Sequence, residues 1–216
     1  MKRSDSLKKM VLMAMLAALA YLIVAVVRIP VVLFLKYEPK DVVITVGGFL
    51  LGPMASLLIS LVVSLVEMVT ISETGPIGAL MNLLSTCSFA CTAAILYKKQ
   101  HNIKGAILGL LAGTIAMTGI MLLWNWLITP LYMGVPRPVV EGMLFTAFLP
   151  FNLLKAGLNS ALTLALYKPL TTALRKTRLL PPANHAPGKA KVGIYIFAAA
   201  LLVTCILCLL VMRGIL

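Results

Sequence analysis

Only six of the 216 residues are acidic and only two are histidine. The histidines, His101 and His185, both fall in segments expected to be cytoplasmic loops, so neither a paired-histidine metal helix nor a Ser/His/Asp arrangement is visible. No GxxxxGK[ST] phosphate loop occurs, which excludes ATP hydrolysis by that route. Four cysteines make no disulfide framework: Cys87 and Cys91 share one apolar segment, and Cys205 and Cys208 form a CxxC inside another. Burial in apolar surroundings disfavours the thiolate that redox or metal chemistry needs, so they are expected to be small apolar filler. These absences leave no catalytic residue and no metal-ligand set.

What is abundant is apolar surface. Hydrophobic residues make up 61% of the chain and charged residues 12%, against roughly 45–50% apolar in soluble domains. This composition is that of an integral membrane protein. A spanning helix needs about 20 apolar residues, and Gly, Pro and charge divide the chain into candidate helices at 7–27, 40–51, 53–71, 76–97, 104–128, 143–167 and 192–213. The second, ending at Gly52-Pro53, is too short to span fully by itself, and proline is well tolerated in the first turn of the next. The apolar run after MKRSDSLKK is 18 residues long, longer than a signal peptide needs and without a convincing cleavage site, so it is expected to be a retained first span.

The net charge of +13 is mainly a topology signal. With the N-terminus inside, thirteen of the nineteen Lys and Arg fall on cytoplasmic segments, at 2–9, 98–104 and 168–191, as the positive-inside rule requires. Among the acids only Asp5 is inside, whereas Glu38, Asp41, Glu67, Glu73 and Glu141 lie in or near outer segments. The basic inner loops carry no stacking aromatics, so anionic inner-leaflet lipid suits them and nucleic acid does not. The expected organisation is a six-helix membrane domain over 1–178, a cytoplasmic linker over 179–191 and an extra transmembrane helix over 192–213, the last a lipid-facing anchor whose loss should not abolish ligand binding.

Polar residues concentrate in three places on the outer half. RIPVVLFLKYEPKDV (28–42) is too apolar for an ordinary loop and too charged to be buried whole, which suits a cap lying over a site with Val31 to Leu35 dipping inward. There Pro39 biases Glu38 towards extended geometry, and Asp41 is placed to cap the second helix. In MLLWNWLITPLYMGVPRP (121–138), Asn125 sits between Trp124 and Trp126, which reads equally as an interfacial aromatic belt with an incidental amide or as part of a site. In FLPFNLLKAG (148–157), Asn152 and Lys155 are three apart and share a helix face, with Pro150 loosening the backbone before them. A charge at mid-membrane costs about 2.5–3.5 kcal/mol on insertion scales, so Lys155 needs a polar partner. Glu67, Glu141 or a ligand carbonyl would serve. Two amides and an ammonium offer donors and acceptors for a planar ligand with an imide or pyrimidinone edge; the competing account is a polar cluster that only holds helices together. Small residues four apart, Ala14 and Ala18 in the first helix and Gly105, Gly109 and Gly113 in the fifth, allow close helix approach within the chain or with a partner.

The stretches FLKYEPKDV (34–42), GGFLLGP (47–53), GPIGALMN (75–82), NWLITPLYMG (125–134) and PFNLLK (150–155), in this order and spacing, resemble the substrate-binding S components of energy-coupling factor (ECF) vitamin transporters, and within them the riboflavin-specific RibU type. The resemblance covers about residues 7–176. It implies an all-α, six-helix transmembrane bundle in the bacterial cell membrane that holds riboflavin in an outward pocket capped by the loop after helix one. It implies that Asn82, Asn125, Asn152 and Lys155 meet the ligand, with Leu35, Lys36, Tyr37, Glu38 and Asp41 of the first loop beside it. It further implies that Ala14 and Ala18 dock a transmembrane coupling subunit joined to two ATPase subunits, and that riboflavin is cargo rather than cofactor. FMN, thiamine or another vitamin as cargo, or a role in membrane assembly without transport, remain the alternatives. A seventh helix departs from the six-helix pattern.

Overall fold

A computed structural model of the chain describes residues 2–176 and 192–214. The expected linker, with His185, Lys189 and Lys191, lies outside the described residues. The elements are helix α1 (Lys2–Val26), strands β1 (Ile29–Val32) and β2 (Leu35–Tyr37), helices α2 (Lys40–Leu51), α3 (Pro53–Thr70), α4 (Gly75–Gln100), α5 (Ile103–Met133) and α6 (Arg137–Met143), a π-helical turn at Leu144–Phe148, and helices α7 (Leu149–Lys176) and α8 (Val192–Met212). Among the described residues six helices are long and apolar enough to cross a membrane; α2, with 12 residues, is not among them. The expected boundaries for α2 are those observed, and those for α3 and α4 are close.

Other boundaries differ: α1 begins at Lys2 rather than 7, α7 runs through Pro169 to Lys176 rather than ending at 167, and two further ends differ for local reasons. The fifth helix continues five residues past 128, through Pro130, because a proline in a helix removes one hydrogen bond without forbidding continuation; it stops at Gly134, whose φ of 66° only glycine adopts without strain. The sixth does not start at 143. It is assembled from α6, the π-helical turn and α7, and the wide turn falls just before Pro150, where the missing N–H leaves the regular ladder incomplete.

Between helices in lipid there is no hydrophobic driving force, so association rests on close packing and polar contacts. Both are visible around α2, which touches α1, α3, α4 and α7 and buries every residue from Lys40 to Phe49. Helix α1 meets it with Leu12, Leu16, Ala20 and Val24, a stripe at intervals of four. Helix α3 offers Ser56, Ser60, Ser64 and Glu67 on its buried face and turns Leu57, Leu58, Leu61 and Leu65 outward. Gly109 and Gly113 place α5 against the carbonyls of Ala93 and Phe89 on α4, so those members of the glycine pattern serve packing within the chain. Ala14 and Ala18 remain exposed.

The segment after helix one is an antiparallel hairpin rather than a loop. Leu33, at φ 52°, turns it outward, while Val31, Leu35 and Tyr37 point into a cluster with Phe148, Phe151, Leu154 and Leu158. Asp41 does not cap α2: the N-cap position is Pro39, with no side-chain cap bond, and the Asp41 side chain is fully buried. Helix α8 is present as expected, yet it has a protein-facing side: it packs along α7, with Ala198 and Cys205 buried in the core clusters.

Candidate functional site

The hairpin, the hairpin-side halves of α4, α5 and α7 and the α3–α4 turn enclose a cavity of about 330 Å³, within the range of about 300–1,000 Å³ typical of small-molecule sites. Its walls divide by chemistry. Asn125 from α5, Asn152 and Lys155 from α7, and Asn82 and Ser85 from α4 supply polar groups; Phe34, Leu35, Met81, Met121, Tyr132 and Phe151 supply apolar surface. A smaller apolar niche beside it is bounded by Phe34, Ile77, Trp124, Ile128 and Tyr132. Leu33, Thr74 and the charged Arg28, Lys36, Glu38 and Glu73 complete the lining, with Glu73 the most exposed of the four charged groups.

The backbone irregularities described above orient the amides. Asn152 Nδ2 donates to the Phe148 carbonyl (2.8 Å), the last of the π-helical turn. Asn125 is held from both sides, donating to the Met121 carbonyl (2.7 Å) and accepting from Thr129 Oγ1 (2.8 Å), one residue before Pro130. Asn125 and Asn152 are 1% and 3% exposed, so neither is an incidental member of an aromatic belt. The belt itself is further out: Trp126 donates from Nε1 to Glu141 (3.1 Å) and lies under the Arg137 guanidinium at 5.4 Å.

Lys155 has a protein partner, and it is neither Glu67 nor Glu141. Its Nζ lies 3.2 Å from Asp41 Oδ2 and donates to Ser85 Oγ (3.3 Å). Asp41 is held by two further donors, Thr86 Oγ1 (2.7 Å) and Asn159 Nδ2 (3.2 Å). An ammonium has three donors, and those two contacts leave one for the cavity. Glu67 instead takes Lys40, whose Nζ also approaches Glu38 Oε2 at 2.9 Å, and it accepts from Asn82 Nδ2 (3.4 Å). Lys40 is 1% exposed, the largest fully buried side chain among the described residues. Burial alone would raise the Glu38 carboxyl, but the charges of Lys40, Lys155 and Arg28 outweigh it and hold Glu38 below the ordinary carboxylate range.

Of the nine residues expected against a ligand, Leu35, Lys36, Glu38, Asn82, Asn125, Asn152 and Lys155 line the cavity. Tyr37 and Asp41 stand behind it, Tyr37 donating its hydroxyl to Asn159 Oδ1 (3.2 Å). Sequence reasoning misses Lys40, which reads as an outer-loop charge, and with it Ser85, Thr86 and Asn159. One signal was available. Ser56, Ser60, Ser64 and Glu67 form a polar stripe on an otherwise apolar helix, which asks for a buried partner.

The arrangement can bind and orient a planar polar ligand. It assembles no nucleophile and base, and no group of metal-ligating side chains occurs among the described residues. Residues 8–167 match the model of the family described as "ECF transporter, substrate-specific component". The chain is 27% identical over 178 residues to "Riboflavin transporter RibU" of Staphylococcus aureus (strain TCH60), covering 78% of this chain and 93% of that one. It is 26% identical over 160 residues to "Riboflavin transporter FmnP" of Bacillus subtilis (strain 168), covering 68% and 84%. A solved structure described as "Structure and mechanism of the S component of a bacterial ECF transporter" superimposes with a TM-score of 0.67 at 28% identity, over 79% of this chain and 99% of that one. Since the family match spans α1 to α7 and takes in every residue lining the cavity, the chain belongs to the substrate-specific component family of ECF transporters.

Proposed function

We propose that this chain is the riboflavin-binding subunit of an ECF-type importer and that the cavity beneath the hairpin is its binding site. The observation that carries the reading is the convergence of Asn125, Asn152 and Lys155 on one polar wall of a cavity that also presents apolar surface from Phe34, Leu35, Met81, Met121, Tyr132 and Phe151. That wall matches the imide edge of a flavin, and the apolar surface matches its fused rings. A purely structural cluster would be closed by its own members; here the amides and the ammonium border open space. The names of the two relatives support riboflavin over thiamine.

As a transport subunit the chain is no enzyme, and it draws on partners for ATP hydrolysis: a transmembrane coupling subunit and two ATPase subunits. Ala14 and Ala18 are the proposed docking residues, consistent with their exposure on α1 and with α8 packing on α7 and β1 rather than over them. The chain is a multi-pass membrane protein, and we place its N-terminus in the cytoplasm. The cavity lies at the end of the bundle that holds the hairpin, while the N-terminus and the basic segment 98–104 lie at the other, so the positive-inside rule turns the cavity outward.

Titration of the detergent-purified protein with riboflavin, followed by quenching of flavin fluorescence, tests the site. Asn152→Ala removes one amide from the polar wall and should weaken binding by roughly tenfold, about 1.4 kcal/mol, the scale of one well-oriented hydrogen bond. Unchanged affinity in that variant removes Asn152 from the site.

A further inference from the structure

Helix α8 lies where the family match has already ended, at residue 167, yet it is seated against the part of the molecule that closes the cavity. Its Leu201, Leu202, Cys205, Leu209 and Met212 share one apolar cluster with Val31, Leu35 and Tyr37 of the hairpin and with Leu154 and Leu158 of α7. Contact with β1 is direct. Leu35 links this cluster to the cavity, because it belongs to both.

The seat on α7 is close. At Gly157 an added Cβ would come within 2.7 Å of Cys205 Sγ and of no other atom within contact range. Gly157 is therefore matched to the presence of α8 and to no other element. Tyr37, in the second strand of the hairpin, is tied to α7 through Asn159, and its hydroxyl is pushed upward by burial first, then by the charge of Asp41.

We propose that α8 is a clamp on the hairpin: seated on α7 at Gly157 and Cys205, it fixes the inward-facing side chains of the hairpin, Leu35 among them, and so positions the cover of the binding cavity. The helix is part of the binding device as well as a lipid-facing span. A two-stranded hairpin is marginal by itself, and its cover is only as rigid as the apolar surface beneath it. With α8 displaced, the hairpin loses part of that surface and ligand exchanges faster.

The inference rests on the flavin-binding reading, and one variant separates the two. In full-length Gly157→Cys the new thiol is placed beside Cys205. Reduced, it crowds Cys205 and loosens the seat of α8; oxidised with diamide to a disulfide between the introduced thiol and Cys205, it locks that seat. Riboflavin release is followed by stopped-flow fluorescence on the same preparation in both states, with wild type treated in parallel. The clamp predicts release about fivefold or more faster in the reduced variant than in the oxidised one, since differences within one site appear mainly in dissociation. Wild type should release at one rate in both conditions. Equal rates in the two states of the variant, with wild-type binding intact, overturn the clamp and leave the flavin reading standing. Failure of wild type to bind riboflavin overturns the flavin reading itself. A rise in thermal stability on oxidation without a change in release makes α8 a structural brace only, which also contradicts the proposal.

Discussion

Lys40→Met should be the most destabilising single change in the half of the protein that holds the hairpin, costing about 3–5 kcal/mol, the usual result of removing one partner from a buried ion pair. Lys40 lies between Glu38 and Glu67, and the exposures of the three side chains are 1%, 5% and 5%. A methionine fills the space but leaves both carboxylates buried. Glu38 keeps Arg28 (3.2 Å) and Glu67 keeps Asn82, so neither is stripped entirely, and the loss is that of a missing central cation. The midpoint of thermal unfolding in detergent should fall by on the order of 10 °C. Lys40→Met/Glu67→Gln should recover much of that loss by removing one of the stranded charges. Equal loss in the single and double variants would show that Lys40 acts through packing rather than charge.

Lys155→Met should separate stability from binding. From sequence alone the substitution is expected to keep the fold, because an apolar side chain inserts in a membrane more easily than an ammonium. Asp41 changes that expectation. Its carboxylate is 0% exposed, and without Lys155 it retains only Thr86 and Asn159 as donors. The single variant should therefore lose stability as well as weaken riboflavin binding by more than about 1 kcal/mol, the scale for a charge-assisted hydrogen bond. In Asp41→Asn/Lys155→Met the stranded charge is gone, so stability should return towards wild type while binding stays weak. Full recovery of binding in the double variant would mean that Lys155 serves only to neutralise Asp41.

The comparison of sequence with structure is informative at these same two lysines. Helix positions were legible because Gly, Pro and charge interrupt long apolar runs, and Gly52-Pro53 marks the end of α2 to the residue. Asn125, Asn152 and Lys155 were legible as site candidates because polar groups in apolar helices carry a cost that must be offset somewhere. The identity of the offsetting group was not legible. Lys155 on α7 meets Asp41 on α2, far away in the chain, and Lys40 meets Glu67 across 27 positions, through the packing of α2 against α3, α4 and α7. The hairpin escaped for a related reason: IPVV and LKY are too short to show strand periodicity, and only the turn at Leu33 and burial of Val31, Leu35 and Tyr37 pair them. The protein-facing side of α8 was hidden by its uniform hydrophobicity, which looks the same whether a residue meets lipid or α7.

The most direct test of the central claim is equilibrium titration of the purified full-length protein with riboflavin, read by flavin fluorescence, with lumichrome and thiamine as competitors. The account predicts saturable quenching at a single site, weaker competition by lumichrome, which carries the imide edge and fused rings without the ribityl chain, and no competition by thiamine. Absence of saturable quenching, or displacement by thiamine as effective as by lumichrome, would contradict it.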